Sequence, residues 1–180
     1  LPTAKAVFTP TPTALPPAPT DEAAIRTGIQ QSLDLLAQAY NLNQPDRLAQ
    51  VVDQENLPFR RLIKTQFDEY QNSYYAGQVT YTYTLDSARP LKDGLILAHI
   101  QAFGWLSADW LFRWNGTAWV LTEPTVKQLG EKQTKETDQF IFEYYPWADE
   151  VNDEVIKLVE NAADRVKRKL GKLPTEKAEV

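Results

Sequence analysis

The stretch Gly77-Gln78-Val79-Thr80-Tyr81-Thr82-Tyr83-Thr84-Leu85 decides the fold. Val79, Tyr81, Tyr83 and Leu85 alternate with Thr80, Thr82 and Thr84, so consecutive side chains fall on opposite sides. A period of two belongs to a β-strand, here with one apolar-aromatic face and one hydroxyl face. Upstream the period is helical: Ile25, Ile29, Leu33, Leu36 and Tyr40 form a single apolar stripe. Thr20 is the expected N-cap of that helix, with Asp21 and Glu22 in the first turn, where the helix dipole favours anions. Asn41 to Gln44 interrupt the pattern. Pro45 suits the first turn of a short second helix carrying Leu48, Val51 and Val52. Pro58 opens a third helix, with Phe59, Leu62, Ile63, Phe67 and Tyr70 on one side.

Downstream of Leu85 the strand pattern continues. Leu91–Phe103 reads as a second strand, with Gly104 at a bulge, and Asp109–Trp114 as a third. Asn115-Gly116 is a strong hairpin signal, because a type I′ turn needs positive φ at both central positions. Asn115-Gly116-Thr117 also fits a glycosylation sequon, but the turn accounts for it more economically. Ala118–Thr122 returns and Pro124 ends the strand. Residues 21–130 therefore predict an α+β domain: three N-terminal helices packed on a curved antiparallel sheet, the strands forming a four-stranded meander.

The remainder has a different organisation. Glu131–Asp138 is polar and reads as a linker. Gln139–Tyr145 alternates as a strand with Phe140, Phe142 and Tyr144 on one face, and Pro146 stops it. A long helix follows from Asp149, with Val151, Val155, Leu158, Val159, Ala162, Val166 and Leu170 as its stripe. Lys167, Arg168 and Lys169 suit its C-terminal end, and Gly171 suits its stop. After Pro174 another strand begins. A strand-helix unit of this size is too small to bury both its faces. Residues 131–180 are therefore expected to be a linker and the opening of a second domain, in preference to an appendage packed on the first.

Residues 1–20 interleave Pro2, Pro10, Pro12, Pro16, Pro17 and Pro19 with threonines. Proline removes backbone donors and favours extended geometry, so this segment reads as a semi-rigid tether of the kind that separates an outward-facing domain from a membrane anchor. The sequence has no methionine, which is expected of a processed chain or of a piece cut from a longer one, with any signal peptide already removed. No apolar run reaches the roughly 18–20 residues of a membrane span. The expected location is extracytoplasmic, at the cell surface or secreted, with membrane contact only through an anchor that this sequence does not include.

Composition narrows the chemistry. With no cysteine there are no disulfides, thiol nucleophiles or cysteine metal sites. A net charge of -5 argues against a nucleic-acid partner, because phosphate-backbone binders carry an excess of Lys and Arg. His99 is the sole histidine, and a zinc hydrolase needs at least two imidazoles or equivalent ligands. The serines, Ser32, Ser73, Ser87 and Ser107, lie outside any G-x-S-x-G elbow, and no phosphate-cradling glycine loop is present. No cofactor is expected in this chain.

Two resemblances follow from these segments. The Ile25–Tyr40 helix ending near Asn41, the Leu57–Tyr70 helix and the hairpin W-L-F-R-W-N-G-T-A-W-V-L-T from Trp110 to Thr122 resemble the nuclear transport factor two-like (SnoaL-like, cystatin-like) cone fold over residues 21–130. The run F-I-F-E-Y-Y-P from Phe140 to Pro146, the long helix after it, Leu170-Gly171 and Pro174 resemble the opening of peptidase MA-like gluzincin domains. In that family this strand and helix precede a zinc-binding H-E-x-x-H helix, a motif this sequence lacks, so the resemblance implies position rather than zinc ligands.

The cone-fold resemblance also implies a cavity, where some members place a carboxylate base and a phenolic donor. The candidate cavity-lining residues are Tyr70, Tyr81, Tyr83, His99 and Asp109. Against this stands the ordinary reading: a hydrogen-bonded sheet histidine, a turn carboxylate and core aromatics. Trp105, Trp110, Phe112, Trp114 and Trp119 are likewise expected in the core before a binding platform. The resulting expectation is a non-catalytic accessory or positioning module of an extracytoplasmic metallopeptidase. Its partners would be its own C-terminal domain, with a small apolar ligand or a homodimer as further options. The alternative is a self-contained small-molecule binder or enzyme using the cone cavity.

Overall fold

The computed structural model describes residues 15–171 and 177–179. The chain divides into two compact units, one ending at Glu123 and one beginning at Pro124, ahead of the 130/131 boundary read from the sequence. The Pro/Thr leader lies outside the described residues up to position 14. Beyond that, the Pro16 carbonyl accepts a hydrogen bond from the Trp114 indole at 3.0 Å.

The first unit is α+β, with its helices N-terminal to a four-stranded antiparallel sheet. Helix α1 (Glu22–Leu42) is capped by Asp21, whose carboxylate accepts from the Ala24 N–H at 2.9 Å. The cap therefore falls one residue after Thr20, and a carboxylate adds the favourable charge at the helix N-terminus. Asn43, at φ 50°, ends the helix in the left-handed region. Helix α2 (Pro45–Val51) starts on its proline, and α3 (Leu57–Gln71) has Pro58 in its first turn and Asn56 as its cap. The sheet order is β1 (Tyr83–Pro90), β2 (Leu95–Ala102), β3 (Leu106–Trp114) and β4 (Trp119–Thr122).

Burial follows the periods read from the sequence. Ile25, Ile29, Leu33 and Leu36 of α1 join Leu48, Val51, Phe59 and Phe67 in one core with Ile96, Ala98, Ile100, Phe112, Trp119 and Leu121 of the sheet. Gly28 sits in mid-helix, a position where glycine costs about 1 kcal/mol relative to alanine. The fold uses the missing side chain: a Cβ there would lie 2.8 Å from the buried Trp119 ring.

Several expectations for this unit change: Gly104 lies in the turn between β2 and β3 and not at a bulge, and β3 starts at Leu106 and not Asp109. The first strand starts at Tyr83, not Val79. Residues 81 and 82 are extended, but their partners differ: the Asn41 side chain gives to and takes from the Tyr81 backbone at 2.9 and 2.8 Å, and the Phe103 N–H meets the Thr82 carbonyl. The Gln30 side chain does the same for β1, at the Tyr83 carbonyl and the Leu85 N–H. Helix side-chain amides thus satisfy backbone groups along the sheet edge that would otherwise be open to pairing. The second strand begins at Leu95, after a tight turn in which Asp93 takes φ 61°. The Asn115-Gly116 hairpin is not the two-residue I′ turn. Trp114 pairs with Trp119, and of the two turn residues only Gly116 has positive φ, at 98°. Asn115 works through its side chain, accepting from the Thr117 and Ala118 N–H groups, each at 2.9 Å.

The second unit begins with α4 (Val126–Leu129), closed by a Thr125–Gln128 capping box. The expected linker contains a strand, β5 (Gln133–Glu136), paired antiparallel with β6 (Phe140–Tyr144). All four β5 residues are exposed, so hydrophobic alternation could not reveal it. Helix α5 (Asp149–Leu170) then leads to β7 (Ala178–Glu179), parallel to β6. The buried positions of α5 are Ile156 and Ala163, two turns apart, whereas Val155, Leu158, Val166 and Leu170 are exposed. Of the rest of the stripe read from the sequence, Ala162 is exposed and Val159 is half-buried. Val151 lies outside the described side chains.

Candidate functional site

The five candidate residues fall into two groups on opposite faces of the sheet. Tyr70, Tyr81 and Tyr83 lie with the helices. The Tyr81 ring stacks on Tyr40 at 4.6 Å and meets Tyr70 and Phe103 at 5.0 Å each, while Tyr83 meets Trp110 at 5.2 Å. Phe67 extends the cluster through Tyr40 at 5.1 Å. These edge-to-face and offset contacts are those favoured by aromatic quadrupoles. Burial, with the neighbouring Tyr81 hydroxyl adding to it, pushes the Tyr40 phenol up to about 12. Burial also raises Tyr81 and carries Tyr83 far above the ordinary phenol range. These phenols stay neutral at any physiological pH. The Tyr70 hydroxyl donates to the Val79 carbonyl at 3.4 Å. The cluster holds one corner of the unit together by ring packing.

His99 and Asp109 lie on the other face. Strand β2 buries Ile96, Ala98 and Ile100 toward the helices, so Leu97, His99 and Gln101 point away from them. His99 is directly opposite Asp109 in register, and its Nδ1 lies 2.7 Å from the Asp109 Oδ1. One step along the ladder, Gln101 donates to Ser107 at 3.1 Å. Ser87 of β1 is the register partner of His99 on its other side, so Ser87, His99 and Asp109 stand in a row across three strands. No Ser87–His99 hydrogen bond joins them among the described residues. The His99 and Asp109 side chains are 43% and 59% exposed, where water screens the pair and no preorganised donor faces a reacting carbonyl. The row has the residue types of a hydrolytic triad without its enclosure. No carboxylate base approaches a phenol in either group.

Sequence reading passed over the strongest electrostatic feature of the first unit. Asp53, only 3% exposed, receives two hydrogen bonds from Arg113, Nε at 2.8 Å and Nη2 at 2.6 Å. Thr122 donates to it at 2.9 Å and the Glu55 N–H at 3.0 Å. Burial alone would raise this carboxyl; the hydrogen bonds from Arg113, Thr122 and the Glu55 N–H outweigh it and hold Asp53 below the ordinary carboxylate range. Asn56 extends the network to the Glu123 carbonyl at 2.9 Å. With every oxygen engaged, the cluster fastens the α2–α3 turn to β3 and β4 and is structural. Its two halves lie 60 to 69 residues apart, so no local motif announces it.

Among the described residues, no group of three or more His, Asp or Glu side chains could hold a metal ion, and no helix is long and apolar enough to cross a membrane. No protein-family model, curated protein or solved structure matches the chain.

Proposed function

We propose that this chain acts by binding and positioning rather than by catalysis. In this reading the first unit is a cone-type accessory module, and the second is the entry into an extracytoplasmic, membrane-tethered metallopeptidase domain whose zinc site lies further along the protein. One observation carries the non-catalytic reading: the side of the sheet where a cone cavity would hold acid and base is occupied by mutually packed rings of Tyr40, Tyr81 and Tyr83, while His99 and Asp109 lie on the other side. The peptidase link is supported by the order of β6 and α5, which follows the strand and long helix of the resemblance. It is also supported by the apolar residues that α5 leaves facing solvent, a surface suited to further domain structure.

Reading the gene beyond the codon for Val180 tests the link. The expected result is an H-E-x-x-H motif on a helical pattern within one domain length, about 100–150 residues. A stop codon, or a continuation without two histidines at that spacing, contradicts it.

A further inference from the structure

The α2–α3 surface carries a groove of about 320 Å³, within the size range of small-molecule sites. Its floor is apolar and built from the core itself: Leu48, Val52 and Phe67 line it, at 5%, 2% and 2% exposure. Its charged rim is cationic and comes from one helix: Arg60, Arg61 and Lys64 of α3 line the groove beside the neutral Gln54, and no Asp or Glu does. The Arg60 guanidinium is turned to the Gln54 carbonyl at 3.4 Å, and Lys64 pairs with Asp68 at 2.5 Å. Arg61 has no ion-pair partner among the described residues. This concentration of positive charge beside an apolar floor occurs in a chain whose net charge is -5.

We propose that this groove is a binding site for a monomeric amphiphile with an unbranched apolar tail and a carboxylate head, of the long-chain fatty acid class. The tail lies over Leu48, Val52 and Phe67 and against Ala49 and Ile63, where its own apolar surface leaves water. The head sits at Arg61, whose planar guanidinium matches a carboxylate with two parallel hydrogen bonds. Charge complementarity fixes the sign of the ligand. Ten residues line the groove, against the roughly 20–30 a side of a stable protein interface, which favours a small amphiphile over a docked helix. The site is separate from the tyrosine cluster and stands whether or not the chain serves a peptidase.

Titration calorimetry of the whole chain with dodecanoate, kept below its micelle concentration, tests the proposal. Expected are saturable one-to-one binding, about tenfold weaker binding in Arg61→Glu, and a comparable loss in Ala49→Glu, which places a carboxylate in the groove from α2. Both positions are exposed, and unchanged thermal melts of the two variants confirm that the fold is kept. Binding of dodecyltrimethylammonium is expected to be weaker than that of dodecanoate. Absence of saturable binding, equal binding of the cationic amphiphile, or unchanged affinity in both variants overturns the proposal. So does binding only to phosphatidylglycerol vesicles, or preference for an acidic helical peptide over dodecanoate.

Discussion

Helices α1 and α5 are nearly equal in length, 21 and 22 residues, and each carries an apolar stripe that can be read in the sequence. In α1 the stripe is consumed: Ile29 and Leu33 are fully shielded, Leu36 and Ile25 nearly so, and Tyr40 is half-buried. Among the described side chains of α5, two, Ile156 and Ala163, are buried, while Leu158 is 67% and Leu170 72% exposed. The helix α1 faces a four-stranded sheet wide enough to take its whole face. The unit containing α5 offers a small three-stranded sheet whose last strand spans two residues. Periodicity states which side chains can be buried together. Only the size of the opposing surface decides whether they are.

If the first unit is self-sufficient, damage to it should be costly. The largest effect is expected from the buried ion pair. Arg113→Ala leaves the Asp53 carboxylate without its main partner and should destabilise the first unit by about 3–5 kcal/mol in urea melts. Leu33→Ala opens a cavity beneath α1 and should cost about 2–5 kcal/mol by the same measurement. Gly28→Ala improves helix propensity and should still lower the melting temperature, because the added methyl meets the buried Trp119 ring. A stabilised Gly28→Ala variant would show that the ring has room to move.

Two pH limits follow from the same unit. Asp53 has a lowered folded-state pKa, so its contribution is present above the ordinary aspartate range and is lost as pH falls through the depressed value. Tyr40 has a raised one, so its contribution is intact below the ordinary phenol value of 10.0 and is lost as pH rises toward about 12. Melts across alkaline pH should therefore show stability falling from about pH 10 upward, and Tyr40→Phe should flatten that fall. At the small end, Leu158→Gln on α5 should change stability by no more than about 0.5 kcal/mol, since the side chain is already in water.

Much of the first unit was legible because its core obeys two periods. The Ile25–Leu36 stripe and the Tyr81–Tyr83–Leu85 alternation both correspond to inward-facing positions. What was not legible depends on distant partners. The start of β1 is set by the Asn41 and Gln30 side chains, and the hairpin conformation by the three hydrogen bonds that the Asn115 side chain accepts. Strand β5 is held by backbone pairing with β6 while its side chains face solvent, so it has no hydrophobic signature. Among the site candidates, residue type was readable but side was not. Alternation places His99 opposite Ala98, yet only the register shows that Asp109 accompanies His99 away from the tyrosines.

The account rests on the contrast between a first unit with a complete core and a second whose helix keeps an unpartnered apolar face. Native-state hydrogen–deuterium exchange on the whole chain measures that contrast directly. Amides of α1, β2 and β3 should exchange only through global unfolding, and those of α5 should exchange through local opening, about a hundredfold faster or more. Protection in α5 equal to that in α1 would contradict the account.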